Sequence, residues 1–357
     1  MAEIEEIGSY DVNIIGSGMG GLVAGNALAM RGYRVLMLEK HIVPGGYTTN
    51  FERGDFRFEV STHLLNGCAP GGAIYEGLRK IDAHELVEFI ELETLIHWRD
   101  LLRGTEVRLP VALADHVETL VKLFPHQEKG VREFYAKYGT VAEFLFAYSK
   151  ASEQEQPALR EKYAAVIEDF FALEGKTAKD ILDPHISDPE LREMMTILTG
   201  FFGLAYDEID AFTFVMGDLS YRVPGEGAYY PKGGSGELSR VLADLFQKRG
   251  GTLLLNREVT EVRFSNGLAE GVLTAKRRGR QLFARSRCVI ANSDITALVC
   301  DLSPPGTFPA DYVKLVTERV PCCSAVVIYI GLDIDLRERG ITDYEIHATW
   351  GEETTSA

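Results

Sequence analysis

Glycines at fixed spacing are the residues in this chain whose types and positions most directly indicate a chemistry. Gly16, Gly18 and Gly21 lie within GSGMGG and give the pattern G-x-G-x-x-G. Gly16 permits a tight turn, Gly18 lets the backbone approach a diphosphate, and Gly21 lets the next helix pack closely on its strand. The backbone N–H groups at a helix start, here including Met19 and Gly20, stabilise phosphate charge. The pattern therefore predicts a dinucleotide site.

An acidic residue lies where such a site needs one. Glu39 is 18 residues beyond Gly21, at the end of an apolar run, and Lys40 follows it. The carboxylate can accept hydrogen bonds from the adenosine ribose hydroxyls and would repel a 2′-phosphate, which disfavours NADP. A Rossmann-like turn that binds nothing is the alternative, but an acidic residue at that position has little structural reason to exist.

This first unit alone leaves FAD and NAD both open. Gly45 and Gly46 come soon after Glu39, where the backbone could approach the diphosphate or ribityl chain of the longer cofactor. This position favours FAD. A plain turn at Pro44–Gly46 is the competing interpretation.

The elements that must position these residues form a strand–turn–helix–strand unit. Asp11–Ile15 is a short β-rich run, and Leu22–Arg31 is apolar on nearly all sides, with Gly32 expected to end the helix. Arg34–Leu38 is a second, almost wholly apolar strand, as in parallel sheets that are buried on both faces.

Further along the chain the pattern changes three times. Residues 85–111 alternate as strands do, and residues 115–213 show the apolar spacing of helices, with residues 152–162 as a loop or helix start. A second glycine-rich loop runs into a helix at Glu237–Arg249, and a β-meander follows. Ala325–Leu332 is expected to be the last strand.

The net charge, the cysteines and the N-terminal segment narrow the possible partners, metal sites and cellular location. The formal net charge of -16 disfavours nucleic acid as a partner. The five cysteines lack metal spacing, so buried free thiols are expected, including Cys322 and Cys323 in a strand-like stretch. The N-terminus lacks the features of a signal peptide. We therefore expect a cytoplasmic protein, with peripheral membrane contact left open and no metal site.

Two blocks of sequence resemble a known family. The segments IIGSGMGGLVAGNALAMRGYRVLMLEKHIVPGGYTTNFERGDFRFEVSTHLLNG and YYPKGGSGELSRVLADLFQKRGGTLLLNREVTEV are similar to the phytoene desaturase, carotenoid cis-trans isomerase and retinol saturase family. The second block most resembles the isomerase and saturase branch. The resemblance implies FAD as cofactor and an α/β fold of the amine oxidase type. In that fold a Rossmann-like, glutathione reductase-type FAD-binding domain is interrupted by a mixed sheet-plus-helix substrate domain.

The resemblance also implies roles for particular residues and a division of the chain. It places Gly45, Gly46 and Tyr47 along the diphosphate and ribityl chain. Residues near the flavin ring would be Ser61, Thr62 and His63, and the backbone of Val259 would bind adenine. The FAD-binding domain is expected at residues 1–84 and 223–302, and the substrate domain at 85–222 and 303–357. Members of the family are longer, so we expect this chain to lack a C-terminal part.

The expected chemistry is oxidation or reduction of an isoprenoid polyene by the flavin. Desaturation, saturation and isomerisation all stay open, and no catalytic acid or base can be named. Apolar stripes at residues 144–148, 194–206 and 212–216 could line a polyene channel or be ordinary helical core. Lys232 could favour reduced flavin or be a solvated loop lysine. A flavin amine oxidase-like enzyme and a catalytically silent nucleotide-binding fragment are the two alternatives.

Overall fold

The computed structural model describes residues 3–277, 280–319 and 325–349. The chain divides into two units. The first unit comprises Met1–Thr62, Glu76–Ile90 and Pro231–Pro321, and the second comprises His63–Tyr75, Glu91–Tyr230 and Cys322–Ala357. Each unit is a region of dense internal packing.

The strands and helices within the described residues follow one another in a mixed α/β order. The strands are β1 (Glu3–Ile15), β2 (Val35–Leu38), β3 (Asn50–Arg53), β4 (Phe56–Glu59), β5 (Phe89–Leu92), β6 (Thr94–Asp100), β7 (Thr105–Pro110), β8 (Ala228–Pro231), β9 (Thr252–Leu254), β10 (Val259–Ser265), β11 (Leu268–Thr274), β12 (Arg280–Ala291) and β13 (Ile346–Thr349). The helices are α1 (Met19–Ala29), α2 (Ala73–Arg79), α3 (Leu113–Leu123), α4 (Glu128–Lys150), α5 (Gln156–Lys162), α6 (Ala164–Phe171), α7 (Ala178–Leu182), α8 (Pro189–Thr196), α9 (Ala211–Leu219), α10 (Ser235–Lys248), α11 (Ile295–Ala297) and α12 (Ala310–Thr317).

A six-stranded sheet organises the first unit. Its strand order is β10-β11-β12-β1-β2-β9. Strand β1 pairs in parallel with both β12 and β2, and β2 pairs in parallel with β9, whereas β10, β11 and β12 form antiparallel pairs. The predicted α/β fold with a parallel central sheet is confirmed. Strand β1 is longer than the five residues predicted, because its polar first half pairs with β12.

Helix α1 connects β1 to β2 and packs against α10. Asn26, fully buried, donates from Nδ2 to the carbonyl of Leu242 at 2.9 Å. A Cβ added at Gly25 would lie 3.2 Å from the ring of Phe246, so the helices approach each other where glycine leaves room. Helix α1 ends at Ala29 and is followed by a turn in which Gly32 has φ +83°, a conformation that favours glycine.

The second unit combines a three-stranded sheet with a helical block. The sheet order is β13-β6-β7, and helices α3–α9 supply most of the remaining structure. An apolar cluster that includes Trp98, Leu120, Val141 and Leu191 lies in its core. The predicted strands and helices are therefore found in this region, and the chain at 156–162 is a helix.

Two predictions are wrong and one lies outside the described residues. Residues 325–332 are mainly exposed and form no strand among the described residues, because an apolar run becomes a strand only where a neighbouring strand pairs with it. The prediction that the cysteines are buried is wrong for Cys288 and Cys300, which are exposed free thiols, whereas Cys68 is a buried free thiol as expected. Cys322 and Cys323 are not among the described residues.

Candidate functional site

The first glycine turn, Gly16–Gly21, connects β1 to α1 in the first unit. Gly16 has φ +93°, and a Cβ there would lie 2.5 Å from the carbonyl oxygen of Asn292. A Cβ at Gly21 would lie 2.2 Å from the carbonyl oxygen of Gly16. The roles expected of these two glycines, a tight turn and close packing of the helix on its strand, therefore agree with the local geometry.

The N-terminus of α1 carries no side-chain cap from the described residues. Gly18 is the N-cap, and within the described part of the chain no side chain caps this helix and no acidic residue lies in its first turn. The first N–H groups of a helix have no partner inside the helix, so they suit a phosphate group. Helix α10 differs, because the carboxylate of Glu59 accepts a 2.9 Å hydrogen bond from the N–H of Ser235 at its start.

Glu39 is bound directly to the first glycine turn. Its Oε2 accepts hydrogen bonds from the N–H of Ser17 at 2.7 Å and from Ser17 Oγ at 2.8 Å. Its Oε1 accepts from the N–H of His41 at 2.8 Å, and the residue is 6% exposed. A carboxylate offers about four lone-pair positions, so three protein donors leave room for another donor such as a ribose hydroxyl.

The second glycine pair packs on the first turn. The N–H of Gly45 donates to the carbonyl of Ser17 at 2.9 Å, and Gly45 and Gly18 form a parallel bridge. A Cβ at Gly46 would lie 3.3 Å from the Cα of Gly18. Gly45 has φ +123°, and Ser239 Oγ, which donates to the carbonyl of Thr48 at 2.6 Å, lies beside it. The first glycine turn and the Gly45–Gly46 pair, which are separate motifs in the sequence, thus pack together in one cradle.

The other predicted site residues of the first unit differ in their burial. Tyr47 is 83% exposed, and Lys40 is also exposed. Ser61 and Thr62 follow β4, and the hydrogen bonds of the described residues do not connect them to the first glycine turn. Val259 is buried at the start of β10. It belongs to the same apolar cluster as Ile15 and Leu38, which end the strands beside that turn.

His63 belongs to the second unit and faces a carboxylate there. Its Nδ1 lies 3.1 Å from Oε2 of Glu345, and His347 Nε2 lies 3.2 Å from Oε1 of the same side chain. The ring of Phe201 contacts both imidazoles, with centroid distances of 5.3 Å to His63 and 5.7 Å to His347. The pair of imidazoles around one carboxylate is an arrangement that sequence spacing did not indicate.

Glu345 is expected to make the second unit less stable in acid. Burial alone would raise its pKa, but hydrogen bonds and charge from His347 and His63 lower the pKa from 4.5 to about 2. Because the pKa is lowered on folding, the stabilisation is present above pH 4.5 and is lost as the pH falls toward about 2. The side chain is 13% exposed, so solvent screens this interaction little. We expect a loss of roughly 2–3 kcal/mol at most.

Urea unfolding across this pH range measures the effect, with Glu345→Gln as the comparison. The substituted protein should lose less stability than the original chain between pH 4.5 and about 2, because its amide does not titrate. Equal losses in the two proteins would assign the acid sensitivity to other carboxylates.

Sequence reasoning missed two residues, one within the first glycine turn and one in contact with it. Ser17 occupies a position that the motif leaves unspecified, and it is fully buried while both its donors bind Glu39. Asn292 follows β12, its Nδ2 lies 3.5 Å from the carbonyl oxygen of Gly16, and a Cβ at Gly20 would lie 2.7 Å from its Oδ1. Its place follows from the pairing of β12 with β1, which the sequence alone does not reveal.

Lys232 lies at the surface of the first unit beside a carboxylate. Lys232 Nζ lies 2.8 Å from Oε2 of Glu88, and both side chains are exposed, so the charge of Lys232 has a partner within the first unit.

In the second unit the apolar stripes are divided between core and surface: Met194 and Leu198 are core residues, whereas Phe201 is exposed. Within the described residues no helix is both long and apolar enough to cross a membrane.

Known proteins resemble this chain over most of its length. A family model described as flavin containing amine oxidoreductase matches residues 19–351. A prolycopene isomerase 2 (chloroplastic) from an Oncidium hybrid cultivar is 30% identical over 303 residues, covering 82% of this chain and 49% of its own length. An all-trans-retinol 13,14-reductase from Danio rerio is 24% identical over 344 residues, covering 93% of this chain and 55% of its own length.

A solved structure shares the fold. An oxidoreductase from Methanosarcina mazei superposes with a TM-score of 0.59 at 20% identity, covering 86% of this chain and 65% of that one. The resemblance inferred from the sequence and the flavin cofactor are confirmed by these matches. The chain spans about half the length of the curated relatives that it matches.

Proposed function

The chain belongs to the flavin-containing amine oxidoreductase family, and from this premise we propose that its first unit holds FAD for an enzyme that acts on an isoprenoid polyene. The observation that supports this proposal is the uncapped start of α1 beside a carboxylate bound to its turn. The open N–H groups and Glu39 suit the two ends of an ADP group. A bound flavin supplies hydride exchange with a carbon centre, and the protein supplies position and electrostatics.

We assign the named residues of the first unit to the cofactor as follows. Gly16, Gly18, Met19, Gly20 and Gly21 hold the diphosphate through backbone groups. Glu39 and Lys40 lie at the ribose end, Gly45, Gly46 and Tyr47 at the diphosphate and ribityl chain, Ser61 and Thr62 toward the flavin ring, and Val259 at adenine. His63, in the second unit, is proposed to serve the flavin ring or the substrate. The cytoplasmic location expected from the sequence stays a prediction.

The second unit is proposed to take up the hydrophobic substrate. Phe171, Phe201, Leu204 and Phe212 are exposed, although they lie in or beside the helices of the second unit. Exposed aromatic and aliphatic side chains suit an apolar polyene or the lipid surface that holds it. Prolycopene isomerase and retinol reductase, the names of two relatives, favour a polyene over an amine as substrate.

Replacing Gly18 with alanine should separate cofactor binding from folding. Gly18 has φ -63°, which alanine adopts without strain, but the added methyl group would lie 3.1 Å from Asn292 Nδ2 and on the approach to the diphosphate. Loss of one charge-assisted hydrogen bond is worth about 1.5–3 kcal/mol. We therefore expect FAD to bind roughly 10- to 100-fold more weakly.

Flavin absorbance and fluorescence titration measure this affinity. Gly77→Ala is the matched control, because Gly77 lies in α2 with no atom within 4 Å of an added Cβ. Equal FAD affinity of Gly18→Ala and the original chain would contradict the assigned site. Absence of FAD binding in the original chain would favour the catalytically silent alternative.

The reaction is tested with the flavin-loaded protein. Incubation with cis and trans polyenes, with and without a reductant, should change either the isomer or the number of double bonds. Incubation with primary amines should release no peroxide. Peroxide from amines together with unchanged polyenes would favour the amine oxidase-like alternative.

A further inference from the structure

A concave surface in the first unit collects positive charge. A cavity of about 270 Å³ is lined by Lys40, Arg257, Lys276 and Arg277, with Glu258 as its one carboxylate among the described residues. The chain as a whole carries a formal charge of -16, so a local excess of cations is unusual for it. We call these four cationic residues, with Asn256 and Glu258, the basic pocket.

Neutral oxygens hold two of these cations in place. The backbone carbonyl of Asn256 accepts a hydrogen bond from Arg257 Nη1 at 3.1 Å and one from Arg277 Nη1 at 3.2 Å. Oriented with its oxygen toward Arg277, the side-chain amide of Asn256 accepts two more bonds at 3.2 Å. Asn256 has φ +54°, a conformation that asparagine tolerates better than most residues. One residue thus brings together guanidinium groups from two separate loops.

The four cations of the basic pocket outnumber its one described carboxylate, Glu258. Within the described part of the chain, none of Lys40, Arg257, Lys276 and Arg277 forms an ion pair. Arg240 and Arg285 of the same unit pair with Glu237 and Glu6. Four like charges in one cavity repel one another, and a bound anion relieves that repulsion.

The basic pocket adjoins the carboxylate end of the cofactor site. The N–H of Arg257 donates to the carbonyl of Glu39 at 2.7 Å, and the N–H of Asn256 donates to the carbonyl of His41 at 2.8 Å. The pocket and Glu39 are therefore held by the same short connection between β9 and β10. The carboxylate of Glu39 repels phosphate. An anion near the connection between β9 and β10 is therefore favoured in the basic pocket and not beside Glu39.

We propose that the basic pocket binds a phosphate group distinct from the diphosphate at the first glycine turn. Two guanidinium groups and two ammonium groups match the hydrogen-bonding capacity of a phosphate, and arginine binds it with two parallel bonds. The phosphate belongs to a soluble metabolite or to a lipid headgroup. The same chemistry serves both sources.

Calorimetric titration of the FAD-saturated protein with inorganic pyrophosphate tests the proposal. FAD occupies the first glycine turn, so binding must occur elsewhere. Lys276→Gln with Arg277→Gln should weaken pyrophosphate binding at least about tenfold, because charge-assisted bonds are lost. Lys248→Gln with Arg31→Gln removes the same charge from exposed positions of the first unit and should leave binding unchanged.

A second arm uses vesicles of phosphatidylcholine with or without phosphatidic acid. Binding that requires phosphatidic acid and is lost in the pocket variant would assign the phosphate to a lipid, whereas pyrophosphate binding alone would assign it to a soluble ligand. No binding of either probe, or equal weakening in the control variant, would overturn the proposal. So would pyrophosphate binding only without FAD, because the basic pocket would then belong to the cofactor site.

Discussion

Replacing Glu39 with leucine should both destabilise the first unit and abolish retention of FAD. The substitution leaves three donors, the N–H and Oγ–H of Ser17 and the N–H of His41, without their acceptor. Each unsatisfied buried donor costs about 1–3 kcal/mol, and the three costs do not add fully. We expect the free energy of unfolding to fall by about 3–5 kcal/mol.

Two measurements separate the effects on stability and cofactor. Urea unfolding followed by circular dichroism gives the loss of stability in the flavin-free protein, and fluorescence titration gives the FAD affinity. Glu39→Gln retains one acceptor oxygen and should fall between the original chain and Glu39→Leu. Glu85→Leu changes an exposed glutamate of the same unit and should alter neither quantity by much.

One outcome would exclude the assigned role of Glu39. If Glu39→Leu lost stability but bound FAD with unchanged affinity, the carboxylate would be a structural acceptor for the turn alone. If it unfolded like Glu85→Leu, the hydrogen bonds to Ser17 and His41 would contribute little. The proposal needs both the stability and the affinity to fall.

The sequence predicted the backbone geometry of the first glycine turn because short-range structure determines it. Gly16, Gly18 and Gly21 occupy a strand–turn–helix connection, and the spacing from Gly21 to Glu39 is set by the lengths of α1 and β2. Such short-range features are encoded in neighbouring residues. The two predicted glycine motifs are also in contact, as their proximity in the chain allows.

Long-range pairing is what the sequence could not reveal. Asn292 reaches the first glycine turn because β12 pairs with β1 across more than 250 residues of sequence, and no local pattern predicts that partner. The same limit explains the wrong strand at residues 325–332. An apolar run there indicated a buried strand, but burial depends on a partner that the run does not specify.

The burial of a charged residue is the second feature that sequence patterns do not reveal. Glu226 lies in a glycine-rich segment that the sequence reads as a loop, yet it is fully buried in the second unit. Its Oε1 forms an ion pair with Lys150 at the end of α4, whereas its Oε2 has no hydrogen-bond partner among the described residues. Burial and the charge of Glu226 raise the pKa of the neighbouring Cys68 thiol to about 12. The ammonium group of Lys150 is therefore the main compensation for a buried negative charge.

Replacing Lys150 with methionine should destabilise the second unit by about 3 kcal/mol, because it leaves a buried carboxylate unpaired. The lysine is 34% exposed, so water can reach part of the vacated position and the loss should lie at the low end of the range for buried pairs. Urea unfolding followed by the fluorescence of the chain's tryptophans, which include the buried Trp98, measures the change.

Matched variants show whether the buried charge is the cause. Lys137→Met removes another lysine of α4. The side chains of Lys137 and of its partner Asp169 are 39% and 40% exposed, so this substitution should cost no more than about 1 kcal/mol. Adding Glu226→Gln to Lys150→Met removes the unpaired charge and should recover about 1 kcal/mol or more. If the double variant were no more stable than Lys150→Met alone, the loss would come from the packing of the lysine stem. The ion pair would then be incidental to the stability of the second unit.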